Sequence, residues 1–215
     1  MVSPDVKQHL GVQAMRAYLI SGLALLLIVV PVFGQSHEKK NNSVTTEEYA
    51  VYSALLDEIN QSPSDGKEVK LLVVNDRTKG PDKMCLPEEV AKWERRIEAD
   101  DLKPMLTDLL TKNREPYSAS RRFQISRKLV LLNVEAFSDI FKRRGYEGWD
   151  DFYKKYPNSS GYMTFSRVGF NEEATRAIIY RVTSCGSLCG YGGYILLNKE
   201  NGRWKVTTGY NCWRS

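Results

Sequence analysis

The chain has 215 residues, with 31 lysines and arginines against 26 aspartates and glutamates, and a formal net charge of +5. This small excess, spread among charges of both signs, favours a solvated surface over a nucleic-acid-binding one. The two histidines, His9 and His37, both lie near the N-terminus. The rest of the chain therefore cannot supply the histidine of a Ser-His-Asp triad, a Cys-His dyad or an HExxH zinc site.

The N-terminal region predicts export. Residues 18–33 form an uncharged apolar run, shorter than the roughly 20 residues that a membrane-spanning helix needs. Arg16 precedes this run, and modest or small side chains follow it, which is typical of a secretory signal peptide over residues 1–34. We expect a flexible tail over residues 35–44 and a periplasmic or secreted protein. Whether the leader is cleaved, and whether translation starts at Met15, stay open.

Residues 45–215 predict a single α+β domain. The first helix begins at Thr45, since Thr45 and Glu48 match the T-x-x-E capping box. Residues 68–76 are rich in aliphatic and β-branched side chains and predict a strand. A further helix is expected to open at Pro87, where the missing backbone donor is tolerated.

More helices and one strand are expected before the chain changes character. Asp100 or Asp101 is a candidate cap for a helix with an apolar stripe. Residues 123–132 predict an extended segment. Asn133 is then expected to cap another helix, which Gly145 ends.

The C-terminal part has a different pattern. Residues 158–215 contain four β-rich runs separated by turn signals, and Asn201-Gly202 supplies the positive-φ residues of a hairpin turn. Residues 45–157 are helix-rich. The predicted architecture is therefore an α+β fold, with N-terminal helices packed on one face of a C-terminal four-stranded antiparallel meander.

Four stretches of the chain are distinctive: residues 48–56, 72–78, 152–171 and 185–206. They resemble a group of uncharacterised exported bacterial proteins, and the match is strongest at residues 152–206. The resemblance implies a bacterial origin and export. Because no activity is assigned to that group, the resemblance implies no ligand and no catalytic residue.

The four cysteines predict disulfide bonds, because an even count in an oxidising compartment favours pairing. Three connectivities are open, and we favour Cys185–Cys189 together with Cys85–Cys212. The three residues between Cys185 and Cys189 form a turn tight enough for the Cα separation of about 4.4–6.8 Å that a disulfide needs. A thioredoxin-type redox centre, a four-thiolate zinc site and a phosphate-binding loop remain alternatives, and the spacing disfavours each.

The charged residues give weak functional signals. Acidic neighbours such as Asp150-Asp151 point in different directions on a helix or a strand, so they cannot converge on one bond. Basic clusters at residues 121–128 and 141–145 predict solvated surface, with an acidic glycan or lipid head group as the alternative. We expect no nucleic-acid partner, no metal and no cofactor, and contact with a membrane only through the leader.

Aromatic residues crowd the predicted sheet and mostly suit core packing. Tyr191, Tyr194 and Tyr162 are the candidates for a ligand or partner face, with Tyr191 projecting from a rigid turn. We expect a non-enzymatic binding or interaction domain of the cell envelope or secreted fraction, whose partner is another exported protein or a small ligand. The alternative is a carboxylate-based hydrolase or transferase without a catalytic histidine. No catalytic residue is assigned.

Overall fold

The computed structural model describes residues 43–59, 66–83, 85, 99–142 and 145–215. The predicted leader and the helix expected at Pro87 lie outside these residues. Val44, which the sequence places at the end of the tail, is buried in the core. The described residues belong to one compact unit. None of the helices in the described ranges is long and apolar enough to span a membrane.

The described part of the chain forms four α-helices and seven strands. The helices are α1 (Thr46–Asp57), α2 (Ala99–Lys112), α3 (Val134–Phe141) and α4 (Gly148–Lys155). The strands are β1 (Leu71–Asn75), β2 (Lys128–Leu132), β3 (Ser159–Phe165), β4 (Gly169–Phe170), β5 (Arg176–Gly186), β6 (Cys189–Glu200) and β7 (Arg203–Arg214). A short 3₁₀ turn, Gly145–Glu147, precedes α4.

The predicted helix caps are confirmed at two of three positions. Thr45 Oγ1 accepts the Glu48 amide at 3.2 Å, and Glu48 Oε2 accepts the Thr45 amide at 2.8 Å, which completes the capping box. Asn133 caps α3, since its Oδ1 accepts the Ala136 amide at 2.7 Å. The predicted cap at Asp100 or Asp101 is wrong, because α2 already includes both residues.

The predicted hairpin turn between β6 and β7 is confirmed. Asn201 and Gly202 adopt φ values of 49° and 76°, the two consecutive positive values that a type I′ turn requires. The predicted end of α3 at Gly145 is wrong by several residues, because α3 ends at Phe141.

The seven strands form one mixed sheet in the order β2-β1-β3-β5-β6-β7, with β4 paired to β5. The α+β class is confirmed, but the four-stranded antiparallel meander is wrong. Strands β2 and β3 both run parallel to β1, and the remaining pairs are antiparallel. Strand β3 lies where the two halves meet and is buried along its whole length, as expected for a central strand covered on both faces.

Helices cover both faces of this sheet, which corrects the expectation of helices on one face of the meander. Along β1, Leu72 and Val74 pack with α1, whereas Val73 points to the other side and packs with α3 and α4. Helix α2 packs on that second side against Ile178 and Tyr180 of β5. The apolar residues therefore form a three-layered core with the sheet in the middle.

Helix α2 lies very close to the sheet at Gly169 of β4. A Cβ atom built there would collide with the backbone oxygen of Met105 and lie 2.8 Å from the amide nitrogen of Leu109. Because both obstacles are backbone atoms of one helix, relief requires the helix itself to shift. Glycine is therefore needed at this position to seat α2 on the sheet.

A buried ion pair joins α1 to the connection between β3 and β4. Arg167 Nε donates to Glu48 Oε1 at 2.6 Å, and Arg167 Nη2 donates to Glu48 Oε2 at 2.8 Å. The Val168 amide also donates to Glu48 Oε1, at 3.1 Å. Burial opposes ionisation of Glu48, but these bonds outweigh it and lower the pKa of its carboxyl. Both groups are fully paired, as buried charges must be.

We predict that Gly169→Ala destabilises the protein by about 1–3 kcal/mol, because the added methyl overpacks the contact between α2 and β4. Urea unfolding followed by far-UV circular dichroism measures this change. Gly209→Ala is the matched control, since the nearest atoms to its Cβ lie 3.7 Å and 3.9 Å away. An equal loss of unfolding free energy in Gly169→Ala and Gly209→Ala would contradict the close approach of α2 to Gly169.

We predict that Glu48→Gln lowers the free energy of unfolding by about 3–5 kcal/mol, because it leaves the Arg167 guanidinium buried without its counter-charge. Glu47→Gln is the matched control. Glu47 accepts bonds from Lys199 and Trp204 at 2.6 Å and 2.7 Å but is partly exposed, so its loss is expected to cost about 1 kcal/mol or less.

The Glu48–Arg167 pair predicts that the stability of the protein depends on pH. The pKa of Glu48 is lower in the folded protein than its ordinary value of 4.5. Its stabilising contribution is therefore complete above pH 4.5 and is lost as the pH falls through the folded-state pKa. Acid titration of unfolding in the wild type and in Glu48→Gln measures this contribution. Identical acid sensitivity of the two proteins would contradict it.

Candidate binding site

The structure places the cysteines in the two pairs that the sequence favours. The Cα atoms of Cys185 and Cys189 are 5.0 Å apart, and those of Cys85 and Cys212 are 5.4 Å apart. No described cysteine is free. The described residues contain no group of three or more histidine, cysteine, aspartate or glutamate side chains that could hold a metal ion.

The Cys185–Cys189 bridge closes the turn between β5 and β6, and other contacts hold the same turn in place. The Tyr153 hydroxyl of α4 donates to the Cys185 carbonyl at 2.9 Å. The amide of Ser215 donates to the Gly190 carbonyl at 2.8 Å. The turn is therefore anchored by a covalent cross-link, by a helix and by the C-terminal residue.

We call residues 181–193 the hairpin end. Its tip presents Leu188, which is 89% exposed and the most exposed large apolar side chain among the described residues. Single exposed leucines are common on protein surfaces and need no function by themselves. Leu188 differs from such leucines because it lies on a turn that a disulfide closes, between Cys185 and Cys189.

One face of the hairpin end carries a stacked cation and ring. The Arg181 guanidinium lies 5.2 Å from the centre of the Tyr191 ring. Arg181 is half-buried, and burial lowers the pKa of its guanidinium. Within the described ranges, no hydrogen bond or ion pair satisfies this group. Tyr191, predicted to project from a turn, lies in β6, where it is half-buried with the Arg181 guanidinium over its ring.

Thr183 lies on the same face of β5, two residues beyond Arg181 and directly opposite Tyr191 on β6. Its side chain is 1% exposed, and its hydroxyl oxygen has no hydrogen-bond partner. Buried hydroxyls are nearly always bonded. A partly exposed guanidinium with no hydrogen bond to the described residues and a buried hydroxyl with no partner therefore lie on the same face of β5.

The other two tyrosines of the predicted ligand face lie elsewhere. Tyr162 and Tyr194 are both buried, on the opposite side of the sheet from Arg181. The Tyr162 hydroxyl donates to the Leu132 carbonyl at 3.1 Å, and that of Tyr194 donates to the Cys85 carbonyl at 2.8 Å. Burial raises the pKa of both hydroxyls. These two residues are core donors, so they cannot form a surface with Tyr191.

Sequence reasoning missed Arg181 and Thr183, although the chain contains a signal for them. In the run from residue 177 to 183, Ala177, Ile179, Arg181 and Thr183 share one strand face by period-two alternation. The first two are buried in the core. A cation that continues an inward-facing row is unusual, and that position distinguishes Arg181 from an ordinary solvent-exposed arginine.

A concave feature elsewhere in the described structure is the groove of about 940 Å³ between α2 and the β4–β5 connection. Two carboxylates from separate segments, Asp108 and Glu172, line it. Asp108 is already engaged, because its Oδ2 accepts Lys112 Nζ at 2.6 Å and the Phe170 amide at 2.9 Å. These bonds hold α2 to β4, so the groove gives the carboxylate-based alternative no support.

Comparison of the chain with protein-family models, with curated proteins and with solved structures finds no match.

We predict that the two disulfides differ in their effect on stability. Their cysteines are separated by 127 and 4 positions. Loop entropy then assigns about 5 kcal/mol to Cys85–Cys212 and about 2 kcal/mol to Cys185–Cys189. Urea unfolding of the two paired Cys→Ser variants measures both.

Alkylation without reductant, followed by mass spectrometry, is expected to detect no free thiol in the wild type. Two or more free thiols would contradict the pairing.

Proposed function

We propose that this chain is an exported, non-enzymatic binding domain that recognises another molecule through its hairpin end. The observation that carries the proposal is the Arg181–Tyr191 stack, a half-buried cation on a cross-linked frame with no counter-charge among the described residues. Buried ionised groups are normally paired. A cation left unpaired on a rigid surface is suited to receive its partner from outside the chain.

The composition of the hairpin end supports recognition. Tyrosine and arginine are enriched among the residues that dominate binding energy at interfaces. Leu188 adds an apolar side chain at the tip, where it can enter a pocket on a partner. The disulfide fixes the turn before binding, which reduces the conformational entropy lost on association.

Export is supported by one structural observation and two expectations from the sequence. The predicted leader precedes the domain, and the two disulfides are compatible with an oxidising compartment. The chain also resembles exported bacterial proteins. In that setting the partner is a molecule of the envelope or of the extracellular medium.

Site-specific photo-crosslinking tests this proposal. A benzophenone amino acid replaces Leu188 in the full chain, produced in its native host, and cross-linked products are identified by mass spectrometry. We expect a discrete adduct at this position. The matched controls carry the same group at Val134 and Leu110, which are 52% and 41% exposed and lie outside the hairpin end.

The adduct is expected at position 188 and not at 134 or 110. An identical pattern at all three positions, or no adduct at position 188, would contradict recognition through the hairpin end. A companion variant, Leu188→Asp, is expected to fold as the wild type does, because the side chain is solvent-exposed, and to reduce partner recovery.

A further inference from the structure

We infer that Arg181 and Thr183 form a binding site for an anionic group, a carboxylate or a phosphoryl group, that arrives on the ligand. The inference rests on the proposed function, because it assigns a chemistry to the same hairpin end.

The contrast with Arg167 and Arg127, two other arginines that are at least half-buried, distinguishes Arg181. Arg167 is bonded to both oxygens of Glu48 and to the Ser43 carbonyl. Arg127 donates to the carbonyls at the C-terminal end of α1. Both guanidinium groups are satisfied by the protein itself. Arg181 has the same five donors, and its contact in the described structure is with the ring of Tyr191.

The unpartnered hydroxyl of Thr183 is an independent observation that points to the same place. Alternate residues of a strand lie about 6.6–6.8 Å apart on one face, a distance that the long arginine side chain can bridge. An anion held by Arg181 above β5 would therefore lie within reach of the Thr183 hydroxyl, which can donate to it. Because the Thr183 hydroxyl is covered in the free protein, binding requires a side chain near it to move, and Tyr191, half-buried and directly opposite Thr183, is the candidate.

The chemistry of the donors selects the ligand class. The planar guanidinium fork matches two oxygens of a carboxylate or a phosphoryl group, and bonds between charged partners are stronger than neutral ones. A hydroxyl beside the fork supplies a third donor. The anion could be a free ion or part of a glycan, since both present the same oxygens to the site.

Titration of ¹⁵N-labelled full chain tests the inference. The probes are sodium acetate, sodium phosphate and a trimer of galacturonic acid, each compared with sodium chloride at equal ionic strength. We expect saturable chemical-shift changes confined to residues 181–193 with at least one probe. Acetate or phosphate binding as tight as that of the trimer indicates a free ion, and tighter trimer binding indicates a glycan-borne carboxylate.

Three variants distinguish binding at this site from non-specific attraction between the anion and a positively charged protein. Arg181→Gln and Thr183→Val are each expected to weaken binding about tenfold or more, because each removes a hydrogen bond to a charged group. Arg203→Gln, at an exposed arginine of β7, is expected to bind as the wild type does. Equal weakening in Arg203→Gln, or no saturable change with any probe, would overturn the inference.

Thermal stability distinguishes a binding role from a structural one. An unpaired, half-buried cation is unfavourable in the free protein, so Arg181→Gln is expected to melt at or above the wild-type temperature without anion, and to lose stabilisation by anion. A lower melting temperature for Arg181→Gln, with anion binding retained, would show that the stack on Tyr191 is purely structural. Cross-linking at position 188 is measured separately. If cross-linking succeeds and anion binding fails, the anion site is refuted and the proposed function still stands.

Discussion

The paired charges of Glu48 and Arg167 are the constraint on which the arrangement of layers depends. The Arg167 side chain bonds to Glu48 in the first turn of α1, on one face of the sheet. Its backbone bonds to Asn113, just after α2 on the other face: its amide donates to Asn113 Oδ1 at 2.7 Å, and its carbonyl accepts Asn113 Nδ2 at 3.1 Å. One residue between β3 and β4 therefore positions both helices relative to the sheet.

The same connection keeps the sheet continuous. Ser166 exchanges hydrogen bonds with Tyr180 of β5, since its amide donates to the Tyr180 carbonyl and its hydroxyl accepts the Tyr180 amide, both at 2.9 Å. The Tyr52 hydroxyl of α1 donates to the Ser166 carbonyl at 2.8 Å. Helix α1, the β3–β4 connection and β5 thus form one bonded unit, and β5 carries the candidate site.

Local features of the fold were predictable, whereas the partners of each strand were not. The Thr45 cap and the Asn201-Gly202 turn each involve residues within four positions of one another. Their geometry therefore depends on residues that are adjacent in sequence. The pairing of β1 with β2 joins Leu71 to Lys128 across more than fifty intervening residues. Hydrophobic periodicity identifies such strands without specifying their neighbours, and the parallel half of the sheet was therefore missed.

The candidate site shows the same division. The position of Tyr191 beside the closed turn could be predicted, because it is a local property of the sequence, whereas its contact with Arg181 could not. Tyr162 and Tyr194 were placed with it because aromatic residues in strands look alike until the strand faces are known. Arg181 acquired its significance only when the fold placed it on the row of Ala177 and Ile179 with no counter-charge in the described residues. Whether an arginine in a strand has a hydrogen-bond or ion-pair partner depends on residues that are distant in sequence.

The Cys85–Cys212 bond has a consequence for association between copies of the chain. Strand β7 is at the edge of the sheet, and edge strands are the elements that proteins most readily exchange in domain swapping. Because Cys212 lies two residues before the end of β7, the bond fastens this strand at its far end to the segment that follows β1. Once the bond has formed, exchange of β7 between two copies would require it to break first, so the oxidised chain is protected from domain swapping of this strand.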